Sequence, residues 1–307
     1  MKSKIKEIQN FKYIAHDKET NKIISFSQYQ LYSQCQHKWY LQYQLKKGIQ
    51  MPNMNLTFGT AIHVSIQEYL KTMYEVSGKA ADEMDVISLF EKTLKEEYAK
   101  QLESNGNVHF STKKEFTEYY EDGVEILNWF KKHRKEYFSI RGYELVGIEI
   151  PLLFNISPTH PNILFKGSID FILYDEKDEK FIIIDFKTSR QGWKDKDKQD
   201  EIKMQQLILY KEYFSKLFNI DVDHIDVQFF ILKRKIWENS DYVQKRVQTH
   251  EPASGKGKRN KAHGSILKFI QECFNTDNSY VTERTFEKSV TPLCKYCQYN
   301  NTPDCIK

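Results

Sequence analysis

The stretch that decides the fold reads Gly167-Ser168-Ile169-Asp170 and then, one hairpin later, Phe181-Ile182-Ile183-Ile184-Asp185-Phe186-Lys187-Thr188. Side chains alternate between the two faces of a strand, so Asp185 and Lys187 project from one face and Phe186 from the other. The three isoleucines are apolar on both faces, which is typical of a strand buried inside an α/β sheet. A buried aspartate or lysine is costly unless it is paired or binds a ligand. The charged pair at the end of this strand, next to Asp170, therefore predicts a hydrolytic metal site.

Phosphodiester hydrolysis at such a site needs a divalent cation held by hard oxygen ligands and a group that positions or activates water. Asp170 and Asp185 would supply the oxygens. Lys187 would lie beside the attacking water or the scissile phosphate, where its charge offsets developing negative charge. Glu149, on the preceding strand, could reach the same metal directly or through water. The competing interpretation is a structural ion pair at a strand end, which a lone Asp-x-Lys tripeptide favours.

Length and composition describe a soluble globular protein. The 307 residues suffice for one large domain or two modest ones, and 40% are hydrophobic and 29% charged. No apolar run approaches the roughly 20 residues that span a bilayer, and the charged start, Met1 to Lys6, has no apolar signal core behind it. We therefore expect a cytoplasmic location and no membrane partner. The net charge of +4 is too mild to indicate nucleic acid by itself.

Hydrophobic periodicity changes character at residue 142, from helical spacing to strand alternation. Before this point we expect a short strand over residues 23–26 and then a helix capped by Ser27, in which Leu31, Cys35, Trp39 and Tyr43 recur every four residues. Further helices are expected over 56–74, 85–102 and 113–138. After residue 142 we expect strands over 143–154, 164–174, 181–187, 225–232 and 242–249, and helices over 200–218 and 264–274. The pattern predicts an α/β fold with a helical N-terminal half.

Five short motifs, in this order along the chain, resemble the PD-(D/E)XK nucleases, in the branch that contains the RecB and AddB nuclease domains and the CRISPR-associated spacer-acquisition nucleases. They are the opening helix Ser25-Phe26-Ser27-Gln28-Tyr29 leading to Cys35, the G-x-x-x-H motif Gly59 to His63, G-x-x-D with D-x-K-T, the Q-x-x-x-Y motif Gln206 to Tyr210, and the C-terminal cysteines. The resemblance runs from Ser25 to Cys305. It implies a restriction-endonuclease-like mixed sheet flanked by helices.

The resemblance also implies a role for each motif residue. His63 would be a metal ligand, with Asp170 and Asp185 as carboxylate ligands of Mg²⁺ or Mn²⁺ and Lys187 as the catalytic lysine. Gln206 and Tyr210 would line the site, contact DNA or help to hold Lys187 and the water. They lie one helical turn apart and so share a face. Gly59 should let the His63 helix approach another backbone closely. The alternatives are a packing histidine and an ordinary amphipathic helix.

Three cysteines near the C-terminus, Cys294, Cys297 and Cys305, stand apart from Cys35 at the other end of the chain. Thiolates at such spacings bind zinc or an iron–sulfur cluster. The resemblance implies one [4Fe–4S] cluster that ties the last segment to the first helix. Zinc remains an alternative, with His37 as a further candidate ligand. Unrelated thiols in a frayed tail are the third interpretation, and Cys273 should be a buried apolar filler.

These motifs suggest three parts of one integrated domain. Residues 1–141 form a helical part that contributes His63 and Cys35, residues 142–275 form the nuclease core, and residues 276–307 carry the cysteine staple.

The basic run Gly255 to Lys261 should be a flexible loop that follows a phosphate backbone. Its candidate DNA-binding residues are Lys256, Lys258, Arg259 and Lys261, joined by Lys233, Arg234, Lys235, Lys245 and Arg246. The leading hypothesis is a metal-dependent DNA exonuclease of recombination, repair or replication, of a phage type. No helicase motor is evident, so unwinding would come from a helicase or recombination partner. The rival hypotheses are a non-catalytic DNA-binding or scaffold subunit and a zinc-stapled interaction module.

Overall fold

The computed structural model describes residues 1–12, 20–48, 51–237 and 241–306. Strands in these residues are β1 (Lys22–Ser25), β2 (Tyr143–Asn155), β3 (Ile163–Asp175), β4 (Lys180–Ser189), β5 (Ile225–Lys233) and β6 (Val247–His250). They form one mixed sheet in the order β1-β3-β4-β5-β6, and β2 pairs with β3 beside this row. The predicted mixed sheet is thereby confirmed.

A fork opens in the middle of this sheet. Strand β2 runs antiparallel along one edge of β3, so β1 and β4 must share the other edge. There β1 pairs with residues 163–166 of β3, and β4 pairs with residues 171–175. The segment Gly167–Asp170 lies between these two pairings. From Asp185 to Ser189, β4 continues in parallel with β5. We call the gap between Gly167–Asp170 and Asp185–Ser189 the fork.

Helices cover both faces of the sheet. They are α1 (Lys2–Gln9), α2 (Phe26–Gln34), α3 (Gln36–Trp39), α4 (Met54–Glu75), α5 (Gly78–Glu83), α6 (Val86–Ser104), α7 (Lys113–His133), α8 (Asp195–Lys198), α9 (Glu201–Phe218) and α10 (Lys256–Cys273). One buried apolar cluster joins α1, α2, α9 and α10 to the sheet, and a second joins α4, α6 and α7 to it. The expected layered α/β architecture is confirmed.

Alternation along β4 decides which layer each side chain meets. Phe181 and Ile183 belong to the cluster with α9, whereas Ile184 and Phe186 belong to the cluster with α4 and α7. The strand period therefore places Asp185 and Lys187 on the α9 face, as the sequence predicts.

The region around Cys35 differs from its prediction. Ser25, not Ser27, caps α2, because its side chain accepts a hydrogen bond from the Gln28 backbone. The four-residue apolar spacing predicted one continuous helix, but Cys35 has an extended backbone with φ −161° and separates α2 from α3. A π-helical turn, Tyr40–Gln44, then ends this segment. The break turns Cys35 into the cap of α3, where its sulfur accepts a hydrogen bond from the Lys38 backbone.

The basic run also differs from its prediction. Instead of a flexible loop, its residues form the first turns of α10, with Gly255 as the N-cap. The helix is fixed by an apolar face that includes Ala262, Ile266 and Phe269, so tertiary packing overrides the loop tendency of the glycines.

Smaller differences lie elsewhere. Helices α1, α5 and α8 were not predicted, and the strand expected over residues 242–249 is the shorter Val247–His250. Strand β1 comes from the N-terminal part of the chain and pairs within the central sheet. The three-part division of one domain stays a prediction. None of the helices in the described residues combines the length and apolar character that a membrane crossing requires.

Candidate active site

The Asp185–Lys187 pair lies on the α9 face of β4, at the fork. Asp185 is 2% exposed, its Oδ2 is 2.7 Å from Lys187 Nζ, and its Oδ1 accepts a hydrogen bond of 3.0 Å from Gln206 Nε2. Burial alone would lower the pKa of Lys187, but the carboxylates of Asp185 and Asp170 outweigh it, so this pKa lies above its ordinary value. Lys187 is therefore a cation held beside two acids.

Asp170 faces this pair from β3. Its Oδ2 accepts a 2.9 Å hydrogen bond from the Phe186 backbone N–H, which bridges the fork where ladder pairing between β3 and β4 has stopped. Burial, followed by repulsion from Asp185, raises the pKa of Asp170 well above its ordinary value, against the opposing effects of Lys187 and the Phe186 N–H. Both carboxyl groups can therefore ionise together only at a cost, because the fork sets one ammonium against two acids.

His63 reaches the fork from α4, which packs on the other sheet face. Its Nδ1 is 3.7 Å from Asp170 Oδ2, and its ring contacts Phe186 edge-on with centroids 6.1 Å apart. Burial lowers the pKa of His63 despite the nearby carboxylates, so the ring is neutral at neutral pH. A neutral imidazole can serve as a metal ligand.

Gly59 does not make the close backbone approach that we expected. A Cβ at this position would meet the Thr188 hydroxyl at 3.6 Å, an ordinary van der Waals distance to a side chain.

Glu149 lies on β2 between the pairs Ile148–Phe171 and Ile150–Ile169, and so opposite Asp170. Its backbone is left-handed, with φ 52°, a conformation that costs a residue with a Cβ about 1–2 kcal/mol. Both carboxylate oxygens accept hydrogen bonds, one of 2.7 Å from Gln67 Nε2 and one of 2.6 Å from Ser168 Oγ.

Gln206 and Tyr210 lie one turn apart on α9, as predicted, with 3.5 Å between Gln206 Nε2 and the Tyr210 hydroxyl. The Tyr210 ring covers Gly167, where an added Cβ would approach it to 3.1 Å. A cavity of about 400 Å³ opens beside them at the fork. Its lining comprises Ser25, Phe26, Ser27, Gln30, Lys166, Gly167, Ser168, Lys187, Gln206 and Tyr210.

The donor set at the fork suits a hard divalent cation. Asp185 Oδ2 is a buried oxygen whose partner among the described residues is the Lys187 ammonium, 2.7 Å away. This oxygen, which has a second lone pair, the carboxyl of Asp170 and the neutral ring of His63 offer oxygen and nitrogen ligands. No three His, Cys, Asp or Glu side chains in the described ranges are yet close enough to hold one ion together. The side chains would have to turn toward a cation to bind it.

The four predicted cysteine ligands line one cavity of about 410 Å³, together with His37. Cys35 comes from the junction of α2 and α3, and the other three come from short turns near the C-terminus. All four are half-buried free thiols. His37 contacts the carbonyl of Asp304 through Nε2 at 2.8 Å, which occupies one ring nitrogen. Cys273 is 0% exposed and lies in the apolar core, as predicted.

Most of the candidate DNA-binding cations contact carboxylates. Lys258 and Lys261 both contact Glu201, at 3.1 and 2.5 Å, and Arg259 contacts Glu212 at 3.0 Å. Lys256 is exposed at the start of α10. The other five are scattered. Arg234 and Lys235 both pair with Asp122, Arg246 with Glu125 and Lys245 with Glu136, whereas burial lowers the pKa of Lys233.

Sequence reasoning missed Gln67 and Ser168. Gln67 is four residues after His63, and this spacing places it on the same helix face, which is a usable signal. Ser168 stands inside the G-x-x-D motif, but its contact with Glu149 depends on the β2–β3 register.

Comparison with known proteins gives a family. Residues 23–302 match the PD-(D/E)XK nuclease superfamily, while no curated protein matches the chain. The fold resembles the crystal structure of a "Putative exonuclease" from Eubacterium rectale, with TM-score 0.50 and 10% identity over 93% of this chain and 100% of that one. It also aligns with the structure of SSO0001, with TM-score 0.41 and 14% identity over 100% of this chain and 95% of that one. The second likeness is too weak to support an argument, and the first concerns the fold alone. The family match spans most of the sequence and both sides of the fork, and the chain therefore belongs to the PD-(D/E)XK nuclease superfamily.

Proposed function

We propose that the protein is a Mg²⁺- or Mn²⁺-dependent deoxyribonuclease that acts as an exonuclease on DNA. The observation that carries the proposal is the ion pair of buried Asp185 with partly exposed Lys187 at the fork, facing Asp170 and His63. An acid-rich site with one held cation fits phosphodiester hydrolysis, because the acids can bind metal and the ammonium can offset charge on the phosphate. Membership of the nuclease superfamily supports the same interpretation.

Each group at the fork has its own role in the proposed mechanism. A bound divalent cation supplies Lewis-acid polarisation of the phosphate and lowers the pKa of water. The cation would be held by Asp170, Asp185, His63 and Glu149. Lys187 orients the attacking water and stabilises negative charge that develops on the phosphate oxygens.

Gln206 and Tyr210 act around these groups. Gln206 fixes the Asp185 carboxylate through its 3.0 Å hydrogen bond to Oδ1, and this leaves Oδ2 to Lys187 and the cation. Tyr210 contacts the backbone of Ser168 and covers Gly167, so it shapes the cavity that receives the strand end. Burial raises the pKa of the Tyr210 hydroxyl, so it acts as a neutral hydrogen-bonding group rather than as a base.

We also propose that Cys35, Cys294, Cys297 and Cys305 hold a [4Fe–4S] cluster, with zinc as the alternative. The support is that all four thiols line one cavity although they come from opposite ends of the chain. Iron, sulfide and zinc analysis of protein purified without oxygen distinguishes the two ligands.

The substrate class is tested with end-labelled single- and double-stranded DNA, each incubated with Mg²⁺, with Mn²⁺ or with chelator. We expect release of labelled mononucleotides or short fragments only when a metal is present. Internal cuts in circular DNA would overturn the exonuclease assignment but keep the nuclease. DNA binding without cleavage in either metal would identify a scaffold subunit instead. A helicase or recombination partner would provide unwound ends, and a requirement for single-stranded DNA is the result that would support such a partner.

A further inference from the structure

Gln67 makes contacts that tie the His63 helix to two acids at the fork. It is one turn after His63 on α4 and is 7% exposed. Its Nε2 donates to Glu149 Oε1 at 2.7 Å and to the Asp170 backbone oxygen at 3.2 Å. Both partners can only accept hydrogen bonds, so the amide must present its NH₂ group to them. One buried side chain thus joins α4 to β2 and β3.

Glu149 needs such support, because its backbone does not hold it in a relaxed strand conformation. Its φ of 52° turns the residue out of the β region in the middle of β2. Gln67 from α4 and Ser168 Oγ from β3 hold the two carboxylate oxygens from different elements. Conformations of this kind persist where the surrounding contacts over-determine them, and they concentrate at functional sites.

The choice of an amide suits the charge at this site. A glutamine supplies two N–H donors without adding charge, whereas a glutamate of the same length would bring another carboxylate beside Glu149, Asp170 and Asp185. A lysine would add a second ammonium and compete with a cation for the acids. The amide is also insensitive to pH, so it keeps its donors toward Glu149 whenever that carboxylate is ionised.

We propose that Gln67 is a positioning residue that fixes the Glu149 carboxylate against Asp170 and thereby sets the affinity of the fork for a divalent cation. The proposal rests on the proposed function, since it assumes that the fork binds metal. Residues that orient metal ligands through hydrogen bonds typically change metal affinity or activity by about 10–100-fold when they are removed.

The test uses Gln67→Met, which keeps the length of the side chain and removes its donors. The control is Gln101→Met, because Gln101 is also buried, at 9% exposed, and also bridges two elements, through 2.8 Å hydrogen bonds with the Asn53 backbone and the Thr57 hydroxyl. Manganese binding is measured on DNA-free protein by electron paramagnetic resonance, which detects free Mn²⁺. We expect Gln67→Met to weaken Mn²⁺ binding about tenfold and Gln101→Met to leave it unchanged.

A double-variant cycle separates positioning from general damage. If Gln67 acts through Glu149, Glu149→Gln should weaken Mn²⁺ binding, and adding Gln67→Met should weaken it no further. Ser168→Ala, which removes the other donor to Glu149, supplies a milder variant should Gln67→Met fail to fold. It should weaken Mn²⁺ binding in the same direction.

Three results are decisive. Parent-like Mn²⁺ affinity in folded Gln67→Met, or in Ser168→Ala where Gln67→Met does not fold, overturns the positioning role while leaving the nuclease proposal intact. Additive losses in the double variant also overturn it, because Gln67 would then act independently of Glu149. A parent protein that neither binds Mn²⁺ nor cuts DNA would refute the proposed function itself, and the inference with it.

Discussion

The fork and the cysteine cavity differ in the kind of structure that positions their side chains. At the fork, Asp170 and Asp185 project from strands whose register is fixed by long ladders, and each accepts a hydrogen bond from a neighbouring element. At the cysteine cavity, Cys294, Cys297 and Cys305 sit on short turns, half-buried, and line the same cavity as Cys35 from the other end of the chain. The fork is organised by the fold, whereas the cavity draws its thiols from segments with little structure of their own.

This contrast suggests different dependence on a ligand. The acids at the fork repel each other, so the fold holds them in place at a cost that a cation would relieve. The turns that carry the cysteines have little apolar core, and a bound cluster or metal would contribute directly to their stability. We therefore expect changes at the fork to affect chemistry and changes at the cavity to affect folding.

The largest effect should come from the fork. Asp185→Asn or Lys187→Ala should reduce DNA cleavage by about a thousandfold or more, because the first removes a proposed metal ligand and the second removes the ammonium proposed to act on the water and the phosphate. DNA binding should change little in both variants, and thermal unfolding should change little in Asp185→Asn, where the Asp170 carboxylate remains beside Lys187. The matched control is Lys180→Ala, which breaks the 2.9 Å ion pair with Asp226 near the other end of β4 and β5. If purified Asp185→Asn cleaved DNA at the parent rate, the assignment of the active site to the fork would be wrong.

The cavity should show the reverse pattern. Cys297→Ser should abolish the brown colour expected for thiolate-bound iron and lower the melting temperature by about 5–10 °C, because a ligand shared by distant residues constrains the unfolded chain. Cys273 must be tested as Cys273→Ala, since a serine would bury a hydroxyl in a fully apolar position. That variant should keep both colour and metal content. Unchanged metal content and melting in Cys297→Ser would mean that the four thiols hold no ligand.

A third prediction concerns DNA affinity, which we expect to depend on the lysines at the start of α10 as well as on the fork. Replacing Lys256, Lys258 and Lys261 by glutamine should weaken DNA binding several-fold. It should also reduce the log–log salt slope by roughly 0.7–0.9 for each phosphate that these lysines neutralise in the parent complex. Arg259 is left in place because it also contacts the Ser254 carbonyl and supports the helix start.

Glu201→Gln should change DNA affinity in the opposite direction, because it releases Lys258 and Lys261 from their shared carboxylate. It should bind DNA more tightly than the parent in a fluorescence anisotropy titration. A salt slope that stays constant across these variants would show that α10 does not contact DNA.

The smallest expected effect is a change in the free energy of unfolding, which the acids at the fork lower when they are ionised without a metal. In metal-free protein, Asp170→Asn should raise the free energy of unfolding at pH 7 by about 1.4 kcal/mol for each unit by which folding raises this pKa. The folded-state pKa is raised, so the stability linked to Asp170 is complete below about pH 4 and is lost as pH rises through the folded value.

The variant and the parent should therefore converge in acid and diverge toward neutral pH in urea unfolding. Added Mg²⁺ should stabilise the parent more than the variant. If the difference in free energy of unfolding between variant and parent did not change with pH, folding would not raise the pKa of Asp170.

Much of this site could be predicted from the chain because it follows strand periodicity. Asp185 and Lys187 share a face by alternation alone, and α9 carries Gln206 and Tyr210 at helical spacing. The left-handed backbone of Glu149 had no such signal, since it depends on partners from α4 and β3. The helical start of α10 was hidden by two glycines, whose effect on local propensity is outweighed by burial of the residues that follow.

The fork also sets an order of events during synthesis. The second half of β4, which carries Asp185 and Lys187, pairs with residues 229–233 of β5, some forty residues later in the chain. Gln206, which holds Asp185, is also made later. Since chains emerge N-terminus first, a ribosome-bound chain that ends before Gln206 has neither support for the pair, and one that ends before β5 still lacks the strand pairing. We expect such truncated chains not to cleave DNA, so that cleavage begins only once β5 has been added.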